Sequence, residues 1–182
     1  IGGGTSEVAV ISLGGIVSWA SLRVAGNRFD QAVMDYIKKK YSLAIGEQMA
    51  ENIKIEIGTA LTNRAKLEYR VRGRDLISGL PKDIVINSNE IAEALNQYLA
   101  DISAAVQSVF NETPPELAAD IMERGIIVSG GSAKLRQIDE FFKRTLGVSA
   151  YIAEEPIFCV ARGTSVILNH LDVYKRALLN RV

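Results

Sequence analysis

The stretch TPPELAADIMERGIIVSGG, Thr113 to Gly131, carries the decision about the fold. Pro114-Pro115 ends one helix and starts another, because proline lacks the N–H of an interior turn but suits a first helical turn. Gly125 to Ser129 (GIIVS) is apolar and rich in β-branched residues, and reads as a strand. Gly130-Gly131 turns the chain, and Leu135, Ile138, Phe142 and Leu146 then recur on one helical face as far as Gly147, a helix stop signal. Helix, strand, glycine turn, helix is the rhythm of an α/β fold. Beyond it, Val148 to Ile152 reads as a strand, Glu154-Glu155-Pro156 opens a helix, and Val166 to Val182 is helical and increasingly charged.

Upstream, Asn87 to Asn89 supply caps for a long helix whose stripe is Ile91, Leu95, Leu99, Ile102, Val106 and Val109. Before it, Gly79-Leu80-Pro81 punctuates and Ile84 to Ile86 is a short strand. Lys66 to Arg72 alternates strictly, with Leu67, Tyr69 and Val71 on one side and charged residues on the other, as in a strand with one wet face. Gly46 to Ile57 is a helix with Ile53 and Ile57 one turn apart, followed by an irregular connection through Thr62-Asn63. Asn27 is a cap candidate for a helix carrying Asp30 in its first turn, Phe29, Val33 and Ile37 on one face, and Lys38-Lys39-Lys40 where positive charge suits the dipole. At the start, Glu7 to Leu13 and Ile16 to Val24 form a hairpin across Gly14-Gly15.

The chain has 182 residues, 48% of them apolar and 23% charged, which suffices for a packed core and excludes disorder. Lys+Arg and Asp+Glu both total 21, so no net basic field exists to hold nucleic acid or an anionic membrane, and no nucleic-acid partner is expected. One cysteine, Cys159, can form neither an internal disulfide nor a cysteine-based metal site, which points to a reducing compartment, by default the cytoplasm. No apolar run approaches the ~20 residues of a membrane span, and nothing at the start resembles an export signal. Ile1 is not Met and opens directly into a strand-like run, as expected of part of a larger protein.

Two glycine clusters have the means to bind an anion. Gly2-Gly3-Gly4-Thr5 brings backbone close to a ligand without Cβ atoms, directs N–H groups at a concavity and adds the Thr5 hydroxyl. Gly130-Gly131 precedes a helix, whose first N–H groups are unsatisfied. Each cluster also has a purely structural reading, as a tight turn. Neither fits G-x-G-x-x-G or G-x-x-x-x-G-K-[ST], which disfavours a dinucleotide fold and a P-loop. Glu51 and Lys54 share a helix face, for which the plain reading is an i,i+3 ion pair. Elsewhere, His170 lies in an exposed tail, Cys159 reads as a small buried apolar residue, and Trp19 reads as core. Glu154 and Glu155 are adjacent and cannot share a helix face, so they favour the start at Pro156 rather than a paired-carboxylate mechanism.

Taken together, IGGGTSEVAVISLGGIV, FDQAVMDYIKKKY, IGEQMAENIKIEIG, VRGRDLISGLPK, NSNEI and TPPELAADIMERGIIVSGG resemble, in order and from residue 1 to about residue 165, the second half of the MreB/Mbl family of bacterial actin homologues that direct rod shape. The resemblance implies an actin-like, ribonuclease H-like α/β fold with an inserted smaller α+β subdomain: residues 1–25 and 89–165 in the larger subdomain, 26–88 in the insert, and 166–182 in a helix returning to the other half. It implies an ATP site with Mg²⁺ held through the phosphates and no metal ligands from this chain. Gly2, Gly3, Gly4 and Thr5 match the second phosphate loop, whose usual preceding Asp lies outside the chain. Glu51, Asn52, Ile53 and Lys54 match the E-x-x-K segment edging ribose and base. Gly130, Gly131, Ser132 and Ala133 match the adenosine loop, usually three glycines; Ser132 is the departure, since its Cβ could hinder a backbone needing positive φ.

No catalytic residue is expected in this chain, because by resemblance the water-orienting carboxylate and the first phosphate loop belong to the other half. The implied function is ATP-dependent assembly into cytoplasmic, membrane-associated filaments that organise cell-wall synthesis, with further copies of itself, the inner membrane face and cell-wall elongation proteins as partners. Two alternatives stand beside it: a small-molecule kinase of the actin, Hsp70 and sugar kinase superfamily, and a degenerate structural subunit, suggested by Ser132.

Overall fold

The computed structural model describes residues 1–172 and 174. The end of the expected helix at Val166 to Val182 falls outside them. Strands β1 (Ser6–Ser12) and β2 (Gly15–Leu22) form the antiparallel hairpin, with Ser12 opposite Gly15. Its turn is Leu13-Gly14, one residue earlier than expected. Both residues have positive φ, 49° and 79°, as a two-residue turn requires if its twist is to match the strands.

Helix α1 (Gly26–Tyr41) buries Phe29, Val33 and Ile37 completely and carries its three lysines in the last turn. Its N-cap is Ala25, not Asn27, and no side chain caps it. The amides of Gly26 and Asn27 instead donate to the carbonyls of Gly2 and Gly3 at 3.0 and 2.8 Å, so a distant loop performs the cap. Asp30 therefore sits beyond the first turn. After β3 (Leu43–Ala44) comes α2 (Glu47–Ile57), with Ile53 and Ile57 inward. Strand β4 (Glu68–Asp75) buries Val71 and exposes Arg70 and Arg72, as its alternation dictates. Strand β5 runs from Pro81 to Asn87, longer than expected, because Pro81 already pairs with Arg74. These strands form one antiparallel sheet in the order β3-β4-β5.

Helix α3 (Ser88–Asn111) is the axis of the molecule. Asn87 caps it, and Glu90 reaches back to the Asn87 amide at 2.8 Å, which completes a capping box. Every member of the expected stripe is buried. Helix α4 (Pro115–Arg124) leads to β6 (Ile126–Val128), and α5 (Ile138–Leu146) crosses over to β7 (Ala150–Ile152), which is parallel to β6. Gly147, at φ 72°, ends α5. Helix α6 (Cys159–Asn169) follows a short 3₁₀ turn. One continuous core joins Phe29, Ile53, Leu95, Leu99 and Phe142.

The hairpin and the β6-β7 pair remain separate two-stranded sheets. Between the edges of β1 and β6 lies a cleft of about 460 Å³ floored by Ile102, Val106 and Phe142. Trp19, expected in the core, is 64% exposed. It faces away from α3, and among the described residues no element covers that side of the hairpin. Cys159 is half-buried rather than buried, and its neighbours Phe158 and Val160 are exposed, because α6 buries none of its residues. No helix of the described residues is long and apolar enough to cross a membrane.

Candidate functional site

The first five residues fold into a tight loop, with the Gly2 amide donating to the Thr5 carbonyl at 3.0 Å. Two segments fasten it. The start of α1 donates to Gly2 and Gly3, the Ser132 amide donates to the Ile1 carbonyl at 3.2 Å, and the Ser132 hydroxyl donates to the Gly2 carbonyl at 3.0 Å. The two glycine clusters, some 130 residues apart in sequence, are thus in direct contact.

Close approach explains the glycines at two positions. Gly130 has φ 89°, and a Cβ there would lie 2.2 Å from the Ile1 carbonyl oxygen. At Gly26 a Cβ would press on the Ser132 hydroxyl at 3.1 Å and the Gly2 carbonyl at 3.3 Å. Ser132 itself is outside the positive-φ region, so the backbone accepts its Cβ without strain, and its hydroxyl ties the loops together. The expected hindrance at this departure does not arise. Gly130-Gly131 opens not an α-helix but a 3₁₀ turn, Gly131–Lys134; α5 begins only at Ile138, after Gln137 takes a left-handed conformation.

The ion pair of Lys54 also differs from the plain reading of its sequence. Its ammonium does not pair with Glu51 but reaches the two oxygens of Asp30 at 2.8 and 2.7 Å, only the first with hydrogen-bond geometry, and the Gly26 carbonyl at 3.4 Å. Both side chains are about five-sixths buried, with 16% and 15% exposure. Asp30 Oδ1 is left buried and without a hydrogen-bond partner. The Lys54 ammonium, 2.7 Å away, offsets the cost of burying that oxygen. Lys54 thereby joins α2 to the first turns of α1, directly beneath the glycine loop.

These elements enclose a cleft of about 380 Å³. Of the expected site residues, Gly2, Gly3, Glu51, Lys54, Gly131 and Ser132 line it. Gly4 and Thr5 lie on the exposed rim of the same loop. Asn52 is half-buried and accepts from Gln48, while Ile53 and Ala133 point into the core and hold their segments from behind. Gly130 serves the contact with Ile1. Residues that the sequence did not single out for this site complete the wall: Gly26, Asn27 and Asp30 from α1, then Lys134, Leu135 and Ile157. Lys134, two residues past Ser132, was within reach of a sequence reading. The Asp30–Lys54 pair had no local signal.

The arrangement suits a ligand with an anionic end and a polar, partly apolar body. Among the described hydrogen bonds, the amides of Gly3, Gly4 and Gly131 donate to no protein acceptor. Amides grouped on glycine loops are good phosphate donors. Lys134 adds positive charge, Glu51 offers an exposed carboxylate able to accept from hydroxyls, and Ile157 and Leu135 supply an apolar side.

The MreB/Mbl protein family model matches residues 1–176. Cell shape-determining protein Mbl of Bacillus subtilis is 46% identical over 172 residues, 94% of this chain and 52% of that protein. Cell shape-determining protein MreB of Escherichia coli K12 is 47% identical over 174 residues, 96% of this chain and 50% of its own length. The crystal structure of MreB5 of Spiroplasma citri bound to ADP superposes with a TM-score of 0.90 at 39% identity, covering 99% of this chain and 54% of that one. The chain spans about half the length of the relatives it matches.

Proposed function

The chain belongs to the MreB/Mbl family, and from that premise we propose that it is the nucleotide-binding second half of an actin-like filament protein that organises cell-wall synthesis and rod shape. Its fold is the actin-like α/β fold of that family. The observation that carries the reading is the meeting of the three expected segments, Gly2-Gly3, Glu51 with Lys54, and Gly131-Ser132, around one cleft. The ADP bound to the Spiroplasma relative supports the same ligand class here.

In this reading the free amides of Gly3, Gly4 and Gly131 take the phosphates, and Thr5 adds a hydroxyl donor at the rim. Glu51 meets the ribose hydroxyls. Lys54, held by Asp30, fixes the distance between α1 and α2 and so the width of the cleft. Mg²⁺ carried on the phosphates would neutralise part of their charge. Hydrolysis draws on groups outside this chain, so the chain alone binds nucleotide weakly and does not turn it over. As filaments of the full-length protein it lies in the cytoplasm against the inner membrane face, beside cell-wall elongation proteins.

Sedimentation of the full-length protein with and without Mg·ATP, beside phosphate release with and without candidate sugars, tests this function. Nucleotide-dependent pelleting with release unaffected by sugars is the expected result. A protein that stays in the supernatant while a sugar accelerates release is instead a kinase of the same superfamily. Pelleting without nucleotide affinity marks the degenerate structural subunit.

A further inference from the structure

We propose that Ser132 is a positioning residue for the phosphates: its hydroxyl locks the orientation of the Gly2–Gly3 peptide and so aims the Gly3 amide at the ligand. The inference deepens the nucleotide reading above and rests on it.

A trans peptide unit is planar, with its C=O and N–H pointing in opposite directions, so neither can turn without the other. The Gly2 carbonyl and the Gly3 amide share one such unit. That carbonyl accepts twice, from the Gly26 amide at 3.0 Å and from the Ser132 hydroxyl at 3.0 Å. Both of its lone pairs are engaged on one side of the loop. The Gly3 N–H, which meets no protein acceptor among the described hydrogen bonds, is thereby held toward the other side.

The next peptide is fixed by a different set of donors. Among the described hydrogen bonds the Gly3 carbonyl accepts only from the Asn27 amide, at 2.8 Å, so α1 alone aims the Gly4 amide. Ser132 acts on Gly3 and not on Gly4. A run of three glycines lacks the Cβ atoms that restrict φ and ψ, so its peptides rotate at little steric cost unless something holds them. A donor fixed before the ligand arrives spares the cost of ordering it on binding.

Ser132 is itself held in place to do this. Its amide donates to the Ile1 carbonyl at 3.2 Å and its carbonyl accepts from the Leu135 amide at 3.1 Å, which pins its backbone inside the 3₁₀ turn. Gly26 leaves the room: a Cβ there would stand 3.1 Å from the Ser132 hydroxyl and 3.3 Å from the Gly2 carbonyl. The Gly26 carbonyl in turn receives the Lys54 ammonium at 3.4 Å. One chain of hydrogen bonds thus runs from Lys54 through Gly26 and Gly2 to Ser132.

The test measures Mg·ADP affinity of the full-length protein by calorimetry. Ser132→Ala and Ser132→Gly should each weaken it about three- to tenfold, the worth of one neutral hydrogen bond, whereas Ser132→Thr, which keeps the hydroxyl, should stay within about twofold of the unsubstituted protein. Circular dichroism and urea midpoints establish that each variant is folded. In isotope-labelled protein without nucleotide, Ser132→Ala should broaden the Gly3 amide resonance by exchange between two peptide orientations and leave that of Gly4 sharp. Undiminished affinity in Ser132→Ala and Ser132→Gly, or a Ser132→Thr as weak as they are, overturns the lock and leaves the nucleotide reading standing. A Gly3 resonance as sharp in Ser132→Ala as in the unsubstituted protein overturns it too. If the unsubstituted protein does not bind Mg·ADP, the nucleotide reading fails and the lock falls with it.

Discussion

In residues 26–88, Phe29, Val33, Ile37, Leu43, Ile53 and Val71 are wholly buried, whereas Ile11, Trp19, Met122, Ile127 and Val160 of the flanking hairpin, α4, β6 and α6 are each more than half exposed. The residue types are the same. What differs is cover: α1, α2 and the β3-β4-β5 sheet enclose one another, while the hairpin and the β6-β7 pair have α3 and α5 on one side and no described element on the other. The apolar residues named in the first region hold the fold together; those named in the second are surface available to a partner. The glycine loops and Lys54 lie where the two regions meet.

The largest expected effect sharpens that contrast. Ile53→Ala should lower unfolding free energy by about 2–5 kcal/mol, the cost of a cavity in a packed core, whereas Ile127→Thr, which keeps the β-branch, should stay within about 0.5 kcal/mol. Urea unfolding measures both, and equal losses would show that β6 is covered after all. Next, Lys54→Met should cost about 1.5–3 kcal/mol by stripping the buried Asp30 carboxylate of its partner. Arg144→Met, which breaks an exposed pair with Glu140, should cost less than about 1 kcal/mol. Asn87→Ala removes the side-chain acceptor of the α3 capping box and should cost about 1 kcal/mol in thermal or urea melts. A loss near zero would mean that tertiary packing alone holds the start of α3.

A smaller effect depends on pH. Hydrogen bonds from Arg72, then Arg70, pull the Asp83 carboxyl down to about 2, against burial. The hydrogen bond from Lys82, followed by the Ser78 and Ile77 amides, holds Asp75 well below the usual carboxylate range. Because these groups are more acidic folded than unfolded, their stabilisation is present above about pH 4 and is lost as pH falls, that of Asp83 through about 2 and that of Asp75 at still lower pH. Urea midpoints measured from pH 5 to 2 should drop, and Asp83→Asn should flatten part of the drop. An identical profile in the variant would separate Asp83 from the stability of the β4-β5 hairpin.

The elements were legible where local physics decides them. The α3 stripe, the Asn87 cap, the alternation of β4 and the breaks at Pro114-Pro115 and Gly147 all follow from periodicity and backbone chemistry within a few residues. Family and fold class followed from the long matching blocks. Trp19 and Cys159 misled because apolarity in sequence does not say whether another element will cover it. Asn27 failed as a cap because carbonyls of Gly2 and Gly3, far off in sequence, take its place. The glycine clusters pointed to the cleft, but Lys54 meets Asp30 across 24 residues and not Glu51 across three, a choice set by the packing of α1 on α2.

The cleft is tested most directly by titrating Mg·ADP into the isotope-labelled chain and following its amide resonances. Gly3, Gly4, Gly26, Lys54 and Gly131 should shift together and saturate in the millimolar range, while inorganic phosphate alone should move the glycine amides and leave Lys54 unmoved. Resonances that stay fixed at those positions, or shifts confined to the cleft between β1 and β6, would contradict the nucleotide site.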